Sequence, residues 1–335
     1  MRYRLLGRTG LRVSEVFFGA MTFYERGAER EFQAMLDAYI DAGGNVIDTA
    51  SAYGESEAIL GELLGDRRDS LVVATKYTLT RDQDDPNASG NHRKNMILTL
   101  EQSLRRLRTD YIDLYWVHSW DRHTPIEETM RALDDAVRAG KVRYVGISNA
   151  PAWLVSRANT LAEWRGWSAF AALQMQYSLL QRDVERELLP MAEAFGLTIA
   201  AWAPLARGML AGKLTGAGAA GTGGRGKPED ASDRDRVVAR VVQEVADELG
   251  VTSAQVALAW LWHRSPRVHP IIGASSAAQV KDNVGAAGVD IPVEATRRLA
   301  DATAFTNGYP HDFIDECADH PFVYGTKRVT PAASS

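Results

Sequence analysis

Tyr111-Ile112-Asp113-Leu114-Tyr115-Trp116-Val117-His118 is a short β-rich run that gives way to a helical pattern from Ile126 to Ala139, closed at Gly140. Val142 to Asn149 then reads as a second strand. Strand, amphipathic helix and strand in that order describe a βαβ unit with parallel strands. The alternation extends in both directions. Upstream, Val16 to Met21, Asn45 to Asp48 and Leu71 to Lys76 read as strands. Helices over Glu29 to Ala42, Ser56 to Leu64 and Lys94 to Leu107 follow them. Downstream, Phe170 to Gln174, Thr198 to Trp202 and Val268 to Ile272 are strands. Their helices run roughly from Val184 to Phe195, Arg234 to Leu249 and Ala277 to Ala286, and Pro151 opens the helix after Asn149.

Eight such units with nearly continuous apolar strands mean a parallel sheet buried on both faces and closed into a (β/α)8 TIM barrel. An open doubly wound sheet would place G-x-G-x-x-G after its first strand. Gly19-Ala20-Met21-Thr22-Phe23 stands there instead. The nearest imitation, Gly7-Arg8-Thr9-Gly10, reads as the turn of a hairpin from Arg4 to Val13 that plugs the N-terminal end of the barrel. A single domain over residues 1–335 accounts for the chain, whose 45% hydrophobic content suffices for one large core. Thr215 to Arg225 reads as a flexible Gly/Ala-rich loop. The C-terminal helix and tail carry Tyr309, Phe313, Phe322 and Tyr324, and residues 325–335 read as flexible.

The net charge of −5 without a basic block gives no support to nucleic-acid binding. No stretch approaches the ~20 apolar residues of a membrane span, and Met1 to Gly7 lacks a signal peptide's apolar run. Cys317 is the sole cysteine, which excludes an intramolecular disulfide. These readings lead to the expectation of a cytoplasmic protein with a small-molecule partner.

In such barrels chemistry sits at the C-terminal ends of the strands. Those ends carry Asp48, with Tyr53 close behind, then Lys76, His118, Ser148-Asn149, Gln174 and Trp202. Taken singly, each has a bland reading. Asp48 reads as a helix cap, Lys76 as a snorkelling lysine, His118 as a core histidine and Tyr53 as a loop aromatic. The bland readings leave their convergence on one mouth unexplained. A phenol is a poor proton donor at neutral pH, and an adjacent ammonium stabilises its phenolate. Lys76 is costly to bury unless Asp48 pairs with it. His118 can then orient a substrate oxygen towards Tyr53. Nothing in the set stores electrons, so a hydride donor must be bound.

At this point the chain resembles an aldo-keto reductase, over roughly Tyr3 to Asp301. Gly44 to Gly54 resembles the family's segment bearing its catalytic aspartate and tyrosine, Ala74-Thr75-Lys76 its lysine strand, and Leu104 to His118 its histidine segment. Gly140 to Asn149 is a further signature. The resemblance implies Asp48, Tyr53, Lys76 and His118 as a catalytic group and NADPH as cofactor. It implies that Ser148, Asn149 and Gln174 bond the nicotinamide carboxamide and that Trp202 stacks on the ring. Leu205, Arg207 and Gly208 then follow the pyrophosphate. Gly273, Ser275, Ser276, Gln279 and Asn283 match the adenosine-phosphate site. Ser276 stands where a basic residue is common, which narrows the implied preference for NADPH over NADH. The expected reaction is reduction of an aldehyde or ketone. The branch resembled also contains potassium-channel β subunits, so a redox-sensing regulatory module is the competing expectation. An isomerase or aldolase using Lys76 as a Schiff base leaves Gln174, Trp202 and the Asp48–Tyr53 pairing unused. Tyr24, Tyr77, Trp120 and the tail aromatics Tyr309 and Phe313 are expected to line the substrate pocket.

Overall fold

The structure, a computed structural model, describes residues 1–216, 226–318 and 320–325. The Gly/Ala-rich segment read as a flexible loop lies outside the described residues from position 217 onward, as do residues 326–335 of the tail.

An antiparallel hairpin, β1 (Tyr3–Leu5) and β2 (Arg12–Ser14), precedes the barrel. The barrel strands are β3 (Phe17–Gly19), β4 (Val46–Asp48), β5 (Val72–Tyr77), β6 (Ile112–Val117), β7 (Val142–Ser148), β8 (Phe170–Gln176), β9 (Thr198–Trp202) and β10 (Val268–Ile272). They close in chain order, with β10 returning to pair with β3. Helices α1 (Glu29–Asp41), α2 (Ser56–Leu64), α3 (Arg93–Arg106), α4 (Ile126–Arg138), α5 (Ala152–Arg165) and α6 (Leu188–Phe195) follow β3 to β8 in turn. Two helices, α7 (Asp233–Leu249) and α8 (Ser253–Arg264), follow β9, and α9 (Ala277–Gly285) follows β10. The chain then adds α10 (Val293–Ala302), α11 (His311–Cys317) and α12 (Pro321–Tyr324). The expected (β/α)8 barrel is the observed one.

The sequence reading did not anticipate α8. Val256 to Leu261 are all buried, so the helix has no polar face to give it a period. Its start is nonetheless fixed by a capping box between Thr252 and Gln255.

The hairpin seals the barrel's N-terminal end. Leu6 and Val13 are fully buried with the inward residues Val46, Val72, Leu114, Ala172 and Ala200. Gly7 makes this seat possible. Its φ is +55°, and a Cβ there would stand 2.3 Å from the Ala171 carbonyl oxygen.

Strand side chains alternate between two layers, because successive Cβ atoms point to opposite faces. Val72 and Ala74 face inward, whereas Val73 and Tyr77 belong to the layer between strands and helices. Leu114 and Trp116 against Tyr115 and Val117 repeat the pattern. Trp116 fills the barrel because Gly146, its register partner, has no side chain. A Cβ on Gly146 would lie 2.4 Å from the indole. Towards the C-terminal ends of β4 to β9 the even-numbered residues therefore point into the barrel, although a register shift between β7 and β8 breaks the parity lower down, at Phe170 and Ala171. This parity places the site.

Candidate active site

Asp48, Lys76, His118, Ser148, Gln174 and Trp202 are even-numbered residues at or just past strand ends, so the alternation directs them all to one mouth. Lys76 is fully buried. Its ammonium is paired with Asp48 Oδ2 and donates to the Thr49 carbonyl oxygen at 2.8 Å. Tyr53 comes from the turn after β4, which is closed by Tyr53 N donating to the Ala50 carbonyl oxygen at 3.0 Å. Lys76 Nζ lies 4.8 Å from the centre of the Tyr53 ring, and that ring meets His118 edge-on at 5.8 Å.

The electrostatics follow from these contacts. Burial works against the Lys76 ammonium, but attraction to Asp48 and Tyr53 outweighs it and raises the lysine above its ordinary value. Lys76 is a cation at neutral pH. His118 is pushed down to about 3, first by burial and second by the nearby Lys76 charge. Its imidazole is therefore neutral across the physiological range and carries one N–H to donate. Its Nδ1 is buried without a hydrogen-bond partner. A charged lysine, a phenol and a neutral imidazole thus lie side by side, an arrangement with the chemistry to pass a proton.

The residues expected to hold a cofactor fall into three groups. In the first, Gln174 is buried and its Nε2 donates to Asp48 Oδ1 at 3.0 Å. Ser148 is its register partner, fully buried, and its Oγ has no partner. Asn149, at φ +49°, ties the neighbouring strand ends together. Its Nδ2 donates to the His118 carbonyl oxygen at 2.9 Å, and its Oδ1 accepts from Trp202 Nε1 at 3.3 Å.

The second group, Leu205, Arg207 and Gly208, lies in the loop after β9. Ala203, Ala206, Arg207 and Gly208 all have positive φ there, a tightly wound path rather than an extended one. The third group surrounds the start of α9. Ser276 caps the helix by accepting from Gln279 N at 3.3 Å, and Gln279 Oε1 accepts from Ser275 N and Oγ at 2.8 and 3.0 Å. Asn283 Nδ2 reaches the Gly273 carbonyl oxygen at 3.5 Å. The polar groups of this stretch thus satisfy one another.

The expected pocket aromatics divide. Trp120 is half-buried and packs edge-on against Trp153 at 5.6 Å, while Tyr24, 54% exposed, lies in the loop before α1. Tyr309 and Phe313 are exposed on the tail and stack loosely on each other at 6.4 Å. Tyr77 does not line the mouth. It is fully buried in the outer layer, stacked on Tyr115 at 5.3 Å, because an odd position on β5 faces the helices. Sequence reading missed Trp153, whose signal is its place four residues past Asn149 in the first turn of α5.

Two cavities lie apart from Asp48, Tyr53, Lys76 and His118. One of about 420 Å³, lined by Glu101, Arg105, Arg108, Asp110 and Lys141, sits at the N-terminal ends of β6 and β7, away from the polar mouth. The other, about 270 Å³, lies beside Asn149 and is lined by Leu173, Met175, Gln181, Val184 and Leu188.

Comparison with known proteins agrees with this fold. The model of the aldo/keto reductase family matches residues 15–303. A norsolorinic acid reductase of Emericella nidulans is 40% identical over 324 residues, covering 92% of this chain and 82% of the relative. An NADP(+) aryl-alcohol dehydrogenase of Phanerodontia chrysosporium is 35% identical, covering 94% and 89%. An aryl-alcohol dehydrogenase of Pestalotiopsis microspora is 34% identical, covering 93% and 85%. Among the described residues no helix is long and apolar enough to cross a membrane.

Proposed function

The chain belongs to the aldo/keto reductase family, and we propose that it is an NADPH-dependent reductase of aromatic aldehydes or ketones with Tyr53 as proton donor. The observation that carries this reading is Lys76, buried and charged between Asp48 and Tyr53, with a neutral His118 against the edge of the Tyr53 ring.

The residues fit a nicotinamide. Ser148 Oγ is buried and unpartnered, and the bond from Gln174 Nε2 to Asp48 leaves Gln174 Oε1 open beside it. A carboxamide needs such a pair of polar contacts, and Trp202 offers an aromatic face at the next strand end. When bound, the nicotinamide supplies the hydride. Tyr53 passes its proton to the substrate oxygen, and the Lys76 ammonium stabilises the phenolate that remains. Asp48 keeps Lys76 charged and in place. His118, neutral, donates its N–H to the same oxygen and sets the angle at which Tyr53 meets it.

The aromatic preference rests on Trp120 and Trp153, which bring two indoles to the β6 and β7 side of the mouth, and on relatives named for aryl alcohols and norsolorinic acid. A panel of aromatic and aliphatic aldehydes followed by the loss of NADPH absorbance tests the reading. Aromatic aldehydes are expected to be reduced with the higher kcat/KM. Cofactor binding without turnover of any carbonyl would favour a regulatory module instead.

A further inference from the structure

Thr78 is strained. It is buried and β-branched, yet its φ is +110°, where a side chain branched at Cβ is rarely found. Such strain persists where the surroundings over-determine it. Asn91, 2% exposed, supplies that determination. Its Nδ2 donates to Thr78 Oγ1 and to the Ser119 carbonyl oxygen, both at 2.9 Å. Its Oδ1 accepts from Asp121 N at 2.7 Å, and its own N–H is bonded to the Asp121 carboxylate. Gly90 N adds a bond to the Thr78 carbonyl oxygen at 2.8 Å. Asn91 thus clasps the loop after β5 to the loop after β6.

His118 sits between those loops. Its N–H donates to the Tyr77 carbonyl oxygen at 3.1 Å, on the peptide immediately before Thr78. Its own carbonyl oxygen accepts from Asn149. The direction of the Tyr77–Thr78 peptide is tied to the φ of Thr78. If Thr78 relaxed to negative φ, that peptide would turn and the acceptor that fixes His118 would move. Trp120, whose N–H donates to the Asn149 carbonyl oxygen at 3.3 Å, follows two residues later on the same loop.

We propose that Asn91, acting through strained Thr78 and through Asp121, is a positioning residue that holds His118 and Trp120 for turnover. The proposal rests on the reading of His118 as the group that orients the substrate oxygen. The strain is the device: the clasp holds a backbone that would otherwise spring away from the catalytic geometry.

The test compares wild type, Asn91→Ala, Asn91→Ala/Thr78→Gly and His118→Ala, with 4-nitrobenzaldehyde as probe. A displacement of ~1 Å at a catalytic group costs on the order of 10²-fold in rate, so Asn91→Ala is expected to lose kcat on that scale while NADPH affinity holds. Hydrogen exchange of the cofactor-free protein is expected to quicken from Tyr77 to Asn91. Glycine adopts φ +110° freely, so adding Thr78→Gly removes the drive to relax and is expected to restore about tenfold of the lost kcat. If Asn91→Ala does not fold, Asp121→Asn with and without Thr78→Gly takes its place, with the same rescue expected. Wild-type kcat in Asn91→Ala alongside a crippled His118→Ala overturns the clasp alone. So does a double variant no better than the single one. Full turnover by His118→Ala overturns the proposed function and the clasp together.

Discussion

Gln174 Nε2 lies 3.0 Å from Asp48 Oδ1, a buried hydrogen bond that spans the mouth from the end of β8 to the end of β4. An ionised carboxylate only accepts, so the amide nitrogen must face it and the amide oxygen is left open. Lys76 holds the other carboxylate oxygen. Asp48 is therefore fixed by a cation on one side and a neutral donor on the other. The candidate cofactor contact and the carboxylate that pairs with Lys76 share a bond.

Removing that donor is expected to cost both stability and turnover. Gln174→Met keeps the length of the side chain and loses the hydrogen bond to a charged group, worth ~1.5–3 kcal/mol. Urea denaturation measures the first effect and kcat the second. Gln174→Glu is expected to be worse, because it sets a second carboxylate against Asp48. Wild-type stability in both variants would mean that the bond contributes nothing.

Stability is expected to fall with acid through two histidines. His118 is pushed down to about 3 and His269 to about 4, both chiefly by burial. His269 donates Nδ1–H to the Ser14 carbonyl oxygen at 2.9 Å, a bond that works against the burial without outweighing it. In the unfolded chain both return to ~6.5, so below that pH the unfolded state binds the extra protons. The stability these groups contribute is complete above about pH 6.5 and is lost as pH falls towards 4 and then 3, by up to ~1.4 kcal/mol per pH unit for each histidine. Urea midpoints across this window check it. His269→Asn is expected to flatten the slope, and an unchanged slope would contradict the assignment.

Trp202 is expected to report cofactor binding by quenching of its fluorescence. Its indole N–H donates to Asn149 Oδ1, so the ring is already oriented. Trp202→Ala should weaken NADPH binding by ~1 kcal/mol, the scale of an aromatic pair. Trp202→Tyr keeps a ring but loses that donor, and it should fall between the two. Equal affinity in all three proteins would remove Trp202 from the site.

Much of this was legible in the sequence because strands alternate. The residues at Asp48, Lys76, His118, Ser148, Gln174 and Trp202 announce strand ends, and their common even parity announces a shared interior. The same parity excludes Tyr77, one position beyond Lys76; chemical type alone suggested a pocket aromatic, whereas position decides the layer. Helix α8 was illegible for the opposite reason, since burial on every side erases the period. Nor does any pattern reveal the Asn91 clasp or the bond from Gln174 to Asp48, which join residues 13 to 126 positions apart. Contacts of that kind exist only once the barrel has closed.

Cofactor choice is expected to favour NADPH over NADH by a modest margin. A 2′-phosphate brings roughly two negative charges, and charge-assisted bonds are about twice as strong as neutral ones. Ser275, Ser276 and Gln279 are neutral, and they already bond one another at the start of α9. Their contribution is thus an exchange of partners rather than a net gain. Competitive titration at low and high salt measures the margin. Ser276→Ala also removes the α9 cap, worth ~1 kcal/mol of stability. A preference for NADH that persists at low salt would contradict the expectation.

The central claim is that Tyr53 gives its proton to a carbonyl oxygen beside charged Lys76 and neutral His118. Tyr53→Phe keeps the ring that packs against both and removes the proton alone. NADPH binding, followed by fluorescence quenching, is expected to survive. The single-turnover rate of aromatic aldehyde reduction is expected to fall by ~10²–10⁴-fold, the contribution of one positioned acid. A Tyr53→Phe enzyme that reduces the aldehyde at a near-normal rate would contradict the account.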